Sequence, residues 1–111
     1  MTNSNFLNDF AKEVAQEKPP TEQFRAIGWE EVVFTLVGVG LKAILPELKE
    51  WIRLGTTAIT VKRLEIKKRL TDYAREKKLD LQEAEKAAGV IADKITEENV
   101  EQLVEALENQ D

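Results

Sequence analysis

VVFTLVGVGLKAILPELKEWI, residues 32–52, is the most apolar stretch of the chain, and its reading decides the fold. It must be a membrane segment, the centre of a folded core, or a surface kept for a partner. A spanning helix needs about 20 consecutive apolar residues, whereas runs of about 10 to 14 more often form buried core helices. The uninterrupted part here covers only residues 32–41 and is closed by Lys42. One lysine can snorkel, but Glu47, Lys49, Glu50 and Arg53 continue the charge through what would be the lower half of a span. Integral membrane insertion is therefore not expected.

Read as a helix starting at Trp29, the stretch has Glu30 and Glu31 in its first turn, where negative charge suits the positive end of the helix dipole. Glu31, Thr35, Gly38, Lys42, Lys49 and Arg53 then fall in one narrow polar stripe at helical spacing. Phe34, Val37, Leu41, Ile44, Leu45, Leu48 and Ile52 form a continuous apolar face opposite it. That face passes Pro46 without changing phase, which predicts one long kinked helix over residues 29–54. The competing reading is a new helix opened by Pro46 at its first position. Gly55, after Arg53, suits a C-terminal cap.

Outward from this centre the chain reads as further helices. Ser4 can cap a first helix carrying Phe6, Leu7, Phe10 and Val14 on one side, and Pro19 and Pro20 end it within residues 1–20. Phe24 and Ile27 mark one or two extra turns before a break at Gly28. Thr56 or Thr57 can cap a basic helix over residues 57–78. The TTAITV run within it is β-branched, but no second strand pattern exists to pair with it. Ile66, Leu70, Tyr73 and Ala74 keep one face of that helix.

An acidic helical hairpin over residues 80–108 completes the pattern. Asp80 and Glu83 resemble a capping box before a small-residue face of Ala84, Ala87, Ala88, Ile91 and Ile95. Thr96 caps the last helix, which has Glu97 and Glu98 in its first turn and Val100, Leu103, Val104 and Leu107 on its apolar side. No internal repeat or low-complexity segment is present.

Length and composition agree. At 111 residues the chain is one domain able to bury a real core, and 42% hydrophobic with 33% charged residues is too apolar for disorder. Long segments lack Gly and Pro, which favours helices over a many-turned β fold. The expected fold is all-α: a compact bundle of about four or five helices around the apolar central one. The start, MTNSNFLNDF, has neither a basic opening nor a continuous apolar run, so a cytoplasmic protein is expected.

The chain has no Cys and no His. Disulfides, thiolate metal sites, Ser-His-Asp chemistry and Glu-x-x-His di-iron sites are thereby excluded within it. Pairs such as Glu97 and Glu98, or Glu101 and Glu105, read as solvated helix faces, and no Ca²⁺ loop pattern occurs. Gly38-Val39-Gly40 leads to Leu41-Lys42 inside a helix pattern and makes no phosphate cradle. Trp29, Trp51 and Tyr73 fit packing roles better than a ligand groove. No enzyme activity, cofactor, metal or small-molecule substrate is indicated.

Two surfaces are candidates for function. The first is a protein interface, with a second copy of the chain as the expected partner. Gly38 and Gly40 each cost up to about 1 kcal/mol relative to Ala in a helix, and close approach of another helix would explain them. Its candidate residues are Phe34, Val37, Gly38, Gly40, Leu41, Ile44, Leu48 and Trp51 on the central helix, with Val100, Leu103, Val104 and Leu107 on the last.

The second surface is the basic helix. The net charge is -5, yet residues 62–78 hold Lys62, Arg63, Lys67, Lys68, Arg69, Arg75, Lys77 and Lys78 against only Glu65, Asp72 and Glu76. Nucleic acid is the alternative partner, bound through phosphates. The basic residues, however, point to several sides, only Tyr73 interleaves with them, and the acidic tail opposes a polyanion. Attachment to an anionic lipid surface is a third reading, weakened because the Ile59-Ile66-Leu70-Tyr73 face is needed for the core. The bland reading is a basic helix balanced by the acidic C-terminal segment.

Overall fold

The first apolar face in the sequence lies on α1 (Thr2–Ala15), where Leu7, Phe10, Ala11 and Val14 are buried and Phe6 stacks on Phe10 with ring centroids 6.2 Å apart. In this computed structural model the described residues are 2–17, 26–54 and 62–109. They are all-helical, with no strand among them. The helix begins at Thr2, so Ser4 lies within it rather than at its cap. The expected Pro19-Pro20 break, Phe24, the Gly55 cap and the Thr56 or Thr57 cap fall outside the described residues.

α2 (Ala26–Thr35) runs through Gly28 instead of breaking there. A β-carbon at Gly28 would stand 2.6 Å from Glu83 Oε1, so the helix passes close to the end of a side chain on its neighbour there. A π-helical turn, Leu36–Gly40, follows directly, closed by the Leu41 N–H donating to the Leu36 carbonyl. Next come the short α3 (Leu41–Ala43) and α4 (Leu45–Leu54).

The long central helix expected over residues 29–54 is thus segmented. Its discontinuity is at Ile44, with φ −106° and ψ 14°, and not a kink at Pro46 itself. Pro46 has no N–H to give the Lys42 carbonyl, and its ring would crowd that carbonyl, so the α-helical ladder stops before it. Ile44 donates back to Leu41 at 3.1 Å, and its own carbonyl accepts the first bond of α4 from Leu48 at 3.1 Å. Pro46 therefore sits in the first turn of a new helix, where its missing donor costs nothing.

α5 (Arg63–Glu76) buries Ile66, Leu70 and Ala74. It stops at Lys78, which adopts φ 61°, with Leu79 N–H donating to Ala74 O at 3.0 Å and Lys78 N–H to Arg75 O at 3.2 Å. These two bonds satisfy the last carbonyls in the left-handed terminating pattern. The chain returns in α6 (Leu81–Lys94), capped by Asp80 Oδ1 accepting from the Glu83 N–H at 3.0 Å. Ala84, Ala87, Ala88 and Ile91 are fully buried, and the three alanines let α5 and α6 pack closely as a hairpin.

The expected hairpin of the two C-terminal helices does not form. Thr96 Oγ1 accepts from the Asn99 N–H at 3.2 Å while Asn99 Oδ1 accepts from the Thr96 N–H at 2.8 Å. This reciprocal turn redirects the chain, and α7 (Val100–Glu108) packs on α1 and α4. The described helices of nine or more residues number six rather than four or five. The Cα radius of gyration, 13.2 Å, is that of a compact chain of this length, for which about 13 Å is expected.

Candidate functional site

The order of burial along α2, the π-helical turn and α4 shows how the central segment is used. Trp29, Val32, Val33 and Leu36 are buried in the first part; Val37, Gly40, Leu41, Ile44, Leu48 and Trp51 in the second. Each set has helical spacing, but the second is displaced by one residue relative to the first. In an unbroken α-helix that displacement would swing the buried face by about 100°. The π-helical turn takes up the extra residue and keeps both sets on one core.

The same turn orders the outer side. Glu30, Glu31, Phe34, Val39, Lys42 and Ala43 are exposed, with Thr35 and Gly38 half-buried between them. Phe34, on the continuous apolar face of the sequence pattern and among the interface candidates, is 42% exposed, and Val39 is 50% exposed. Two bulky apolar side chains therefore flank Gly38 in a stripe bounded by acidic residues at one end and a lysine at the other.

The two glycines of this segment have different surroundings. A β-carbon at Gly40 would lie 3.2 Å from a Leu36 methyl, 3.2 Å from a Leu70 methyl and 3.5 Å from Tyr73 Cδ2. Gly40 is thus the point where α5 approaches the π-helical turn. A β-carbon at Gly38 would meet nothing within 4 Å. Close packing inside the protomer accounts for Gly40 and not for Gly38.

Most of the other interface candidates lie inside the protomer. Val37, Leu41, Ile44, Leu48 and Trp51 are buried against neighbouring helices, as are Val100, Leu103, Val104 and Leu107 on α7. The trough between α4 and α7 is open and lined by Lys49, Ile52, Glu101, Val104, Glu105 and Glu108, and Lys49 crosses it to Glu108 at 2.6 Å.

The basic helix is largely engaged with its own chain. Lys62 lies over the Trp51 ring at 5.7 Å and 3.6 Å from Glu65; Lys77 lies over Tyr73 at 5.7 Å. Arg63 Nη2 donates to Ile95 O at 3.2 Å, closing the C-terminal end of α6, while its buried Nε has no partner. Arg69 pairs with Glu47 of α4, and Arg75 with Asp72 at 3.0 Å. Lys67 lays its stem beside Gly89, and Lys68 and Lys78 are exposed. α5 packs on α6 and the π-helical turn, whereas the acidic α7 packs on α1 and α4. The acidic C-terminal segment is thus divided: its first helix, α6, packs on the basic one while α7 packs elsewhere, and the basic side chains form ion pairs with Glu47, Asp72 and Glu65.

An open trough beside α5 is lined by Leu64, Lys67, Lys68, Thr71, Asp72 and Glu85, with Leu64 78% exposed. Its charges are of both signs. Among the described residues no group of three carboxylates is placed to hold a metal ion, and no helix is long and apolar enough to cross a membrane.

The feature that periodicity missed is the exposure of Val39 beside Phe34. Its signal was present as the one-residue change of phase between Leu36 and Val37. Comparison of the chain with protein-family models, curated proteins and solved structures gives no match.

Proposed function

We propose that the chain is a non-enzymatic protein-interaction module that associates with copies of itself through an apolar helix face. The observation that carries this reading is the outer stripe of α2 and the π-helical turn, where Phe34 and Val39 stand exposed on either side of an open Gly38. A glycine inside a helix costs about 0.5–1 kcal/mol relative to alanine. A β-carbon here would meet nothing within 4 Å, so tight packing inside the protomer does not call for a glycine, and approach of a second backbone supplies a reason. Contiguous exposed apolar patches mark interaction surfaces, and Phe34 and Val39 supply the apolar part of this one.

The distribution of basic charge favours this reading over nucleic-acid binding. Lys62, Arg63, Arg69, Arg75 and Lys77 already have partners within the chain, so a phosphate track along α5 would have to displace them. Sedimentation velocity from micromolar to millimolar protein tests the proposal. A weight-average coefficient that rises with concentration is expected; a constant monomer value across the range contradicts it.

A further inference from the structure

We propose, resting on the self-association reading above, that two copies pair antiparallel across this stripe, about a two-fold axis passing between positions 36 and 37. An isologous interface brings one surface patch against itself, so the patch must be self-complementary. The exposed ladder Glu30/Glu31, Phe34/Thr35, Gly38/Val39, Lys42/Ala43 has that property.

Reversed onto itself, the ladder sets Phe34 against the second copy's position 39, a valine, and Thr35 against its position 38, a glycine. Glu31 meets the lysine at position 42. Each contact occurs twice. Apolar groups meet apolar groups near the centre, Gly38 meets Thr35 beside the axis, and opposite charges meet at both ends.

Charge fixes the direction. A parallel pairing in register would bring Glu31 against Glu31 and Lys42 against Lys42, and like charges at close quarters disfavour association. The antiparallel arrangement also opposes the two helix dipoles. Gly38 fits because helix axes pack about 8–10 Å apart depending on the side chains at the contact, and a glycine near the crossing permits the closer approach.

The π-helical turn gives the ladder its straightness. Successive rungs are four residues apart, and in a uniform α-helix such a row drifts around the axis. The extra residue of the turn between Leu36 and Gly40 counters that drift where the two copies would cross. The ladder spans about 20 Å of helix. So short a ladder suits the small end of interface sizes, and a weak, reversible dimer is expected and not an obligate one.

Cross-linking tests the arrangement. The chain has no cysteine, so Glu30→Cys and Ala43→Cys each introduce one thiol at exposed ends of the ladder. In the antiparallel dimer these two positions face each other, while like positions are about 20 Å apart along the axis. A bis-maleimide reaching about 10 Å, the spacing of packed helices, is applied to each variant alone and to an equimolar mixture. Sedimentation of the untreated variants accompanies it. The expected result is a concentration-dependent dimer and a cross-linked species containing one chain of each kind, formed in the mixture and not in either variant alone. A dimer linked between like positions, or a dimer that links nowhere, overturns this pairing and leaves self-association standing. A monomer at millimolar concentration in all the variants and in the parent chain overturns both.

Discussion

A methyl group placed on Gly40 would lie 3.2 Å from Leu70 Cδ2, a contact that makes this glycine the seat of α5 on the π-helical turn. Leu36, equally close, is fully buried, so neither neighbour has space to retreat into. Gly40→Ala is expected to destabilise the fold by about 1 kcal/mol, overpacking outweighing the gain in helix propensity. Gly38→Ala, entering open space, is expected to stabilise the monomer by about 0.5–1 kcal/mol. Urea unfolding at low micromolar protein measures both.

Glu83 and Gly28 are coupled in the same manner. Glu83 is buried on α6, with its carboxylate against the backbone of α2. Gly28→Ala is expected to cost about 1–3 kcal/mol. Adding Glu83→Ala removes the clash, so the double mutant should be more stable than the sum of the single effects by about 1 kcal/mol or more. A double-mutant cycle in urea reads the coupling directly.

Lys78 holds a left-handed conformation that costs a side-chain-bearing residue about 1–2 kcal/mol. Lys78→Gly is therefore expected to stabilise the protein by about 1 kcal/mol, and Lys78→Val to destabilise it. Thermal unfolding of the two variants should move in opposite directions from the parent.

Charge reversal tests the pairing of Glu31 with Lys42 across copies. Glu31→Lys and Lys42→Glu, each alone, are expected to weaken self-association by several-fold, because either change opposes like charges at both ends of the ladder. The double exchange should restore it. Sedimentation equilibrium at low salt measures the three constants, and monomer unfolding checks that the fold is retained.

Much of the helical pattern was legible from spacing alone. The faces of α1, α5, α6 and α7 follow single unbroken periodicities, and Leu7, Ile66, Ala87 and Leu103 are buried as that periodicity requires. The central segment was less legible because two regular patterns abut there with a one-residue offset. A single stripe drawn through both puts Phe34 on the same apolar face as Leu41 and Leu48, and nothing in that pattern separates its exposed side chain from their buried ones. The π-helical turn that reconciles the two patterns depends on α5 reaching Gly40, a contact between residues thirty positions apart. The stop before Pro46 follows from local stereochemistry, but its placement at Ile44 depends on how Leu41 and Leu48 share the core. Pairing among the last three helices was likewise hidden, since the Thr96–Asn99 turn sets the direction of α7 and both pairings bury the same apolar faces.

The outer ladder as a contact surface is tested most directly by amide chemical shifts of the ¹⁵N-labelled chain, followed from micromolar to millimolar concentration. The account predicts concentration-dependent shifts confined to residues around Glu31, Phe34, Gly38, Val39 and Lys42, following one binding curve. Shifts that cluster instead on α5 or α7, or amide positions that stay fixed over the whole range, would contradict it.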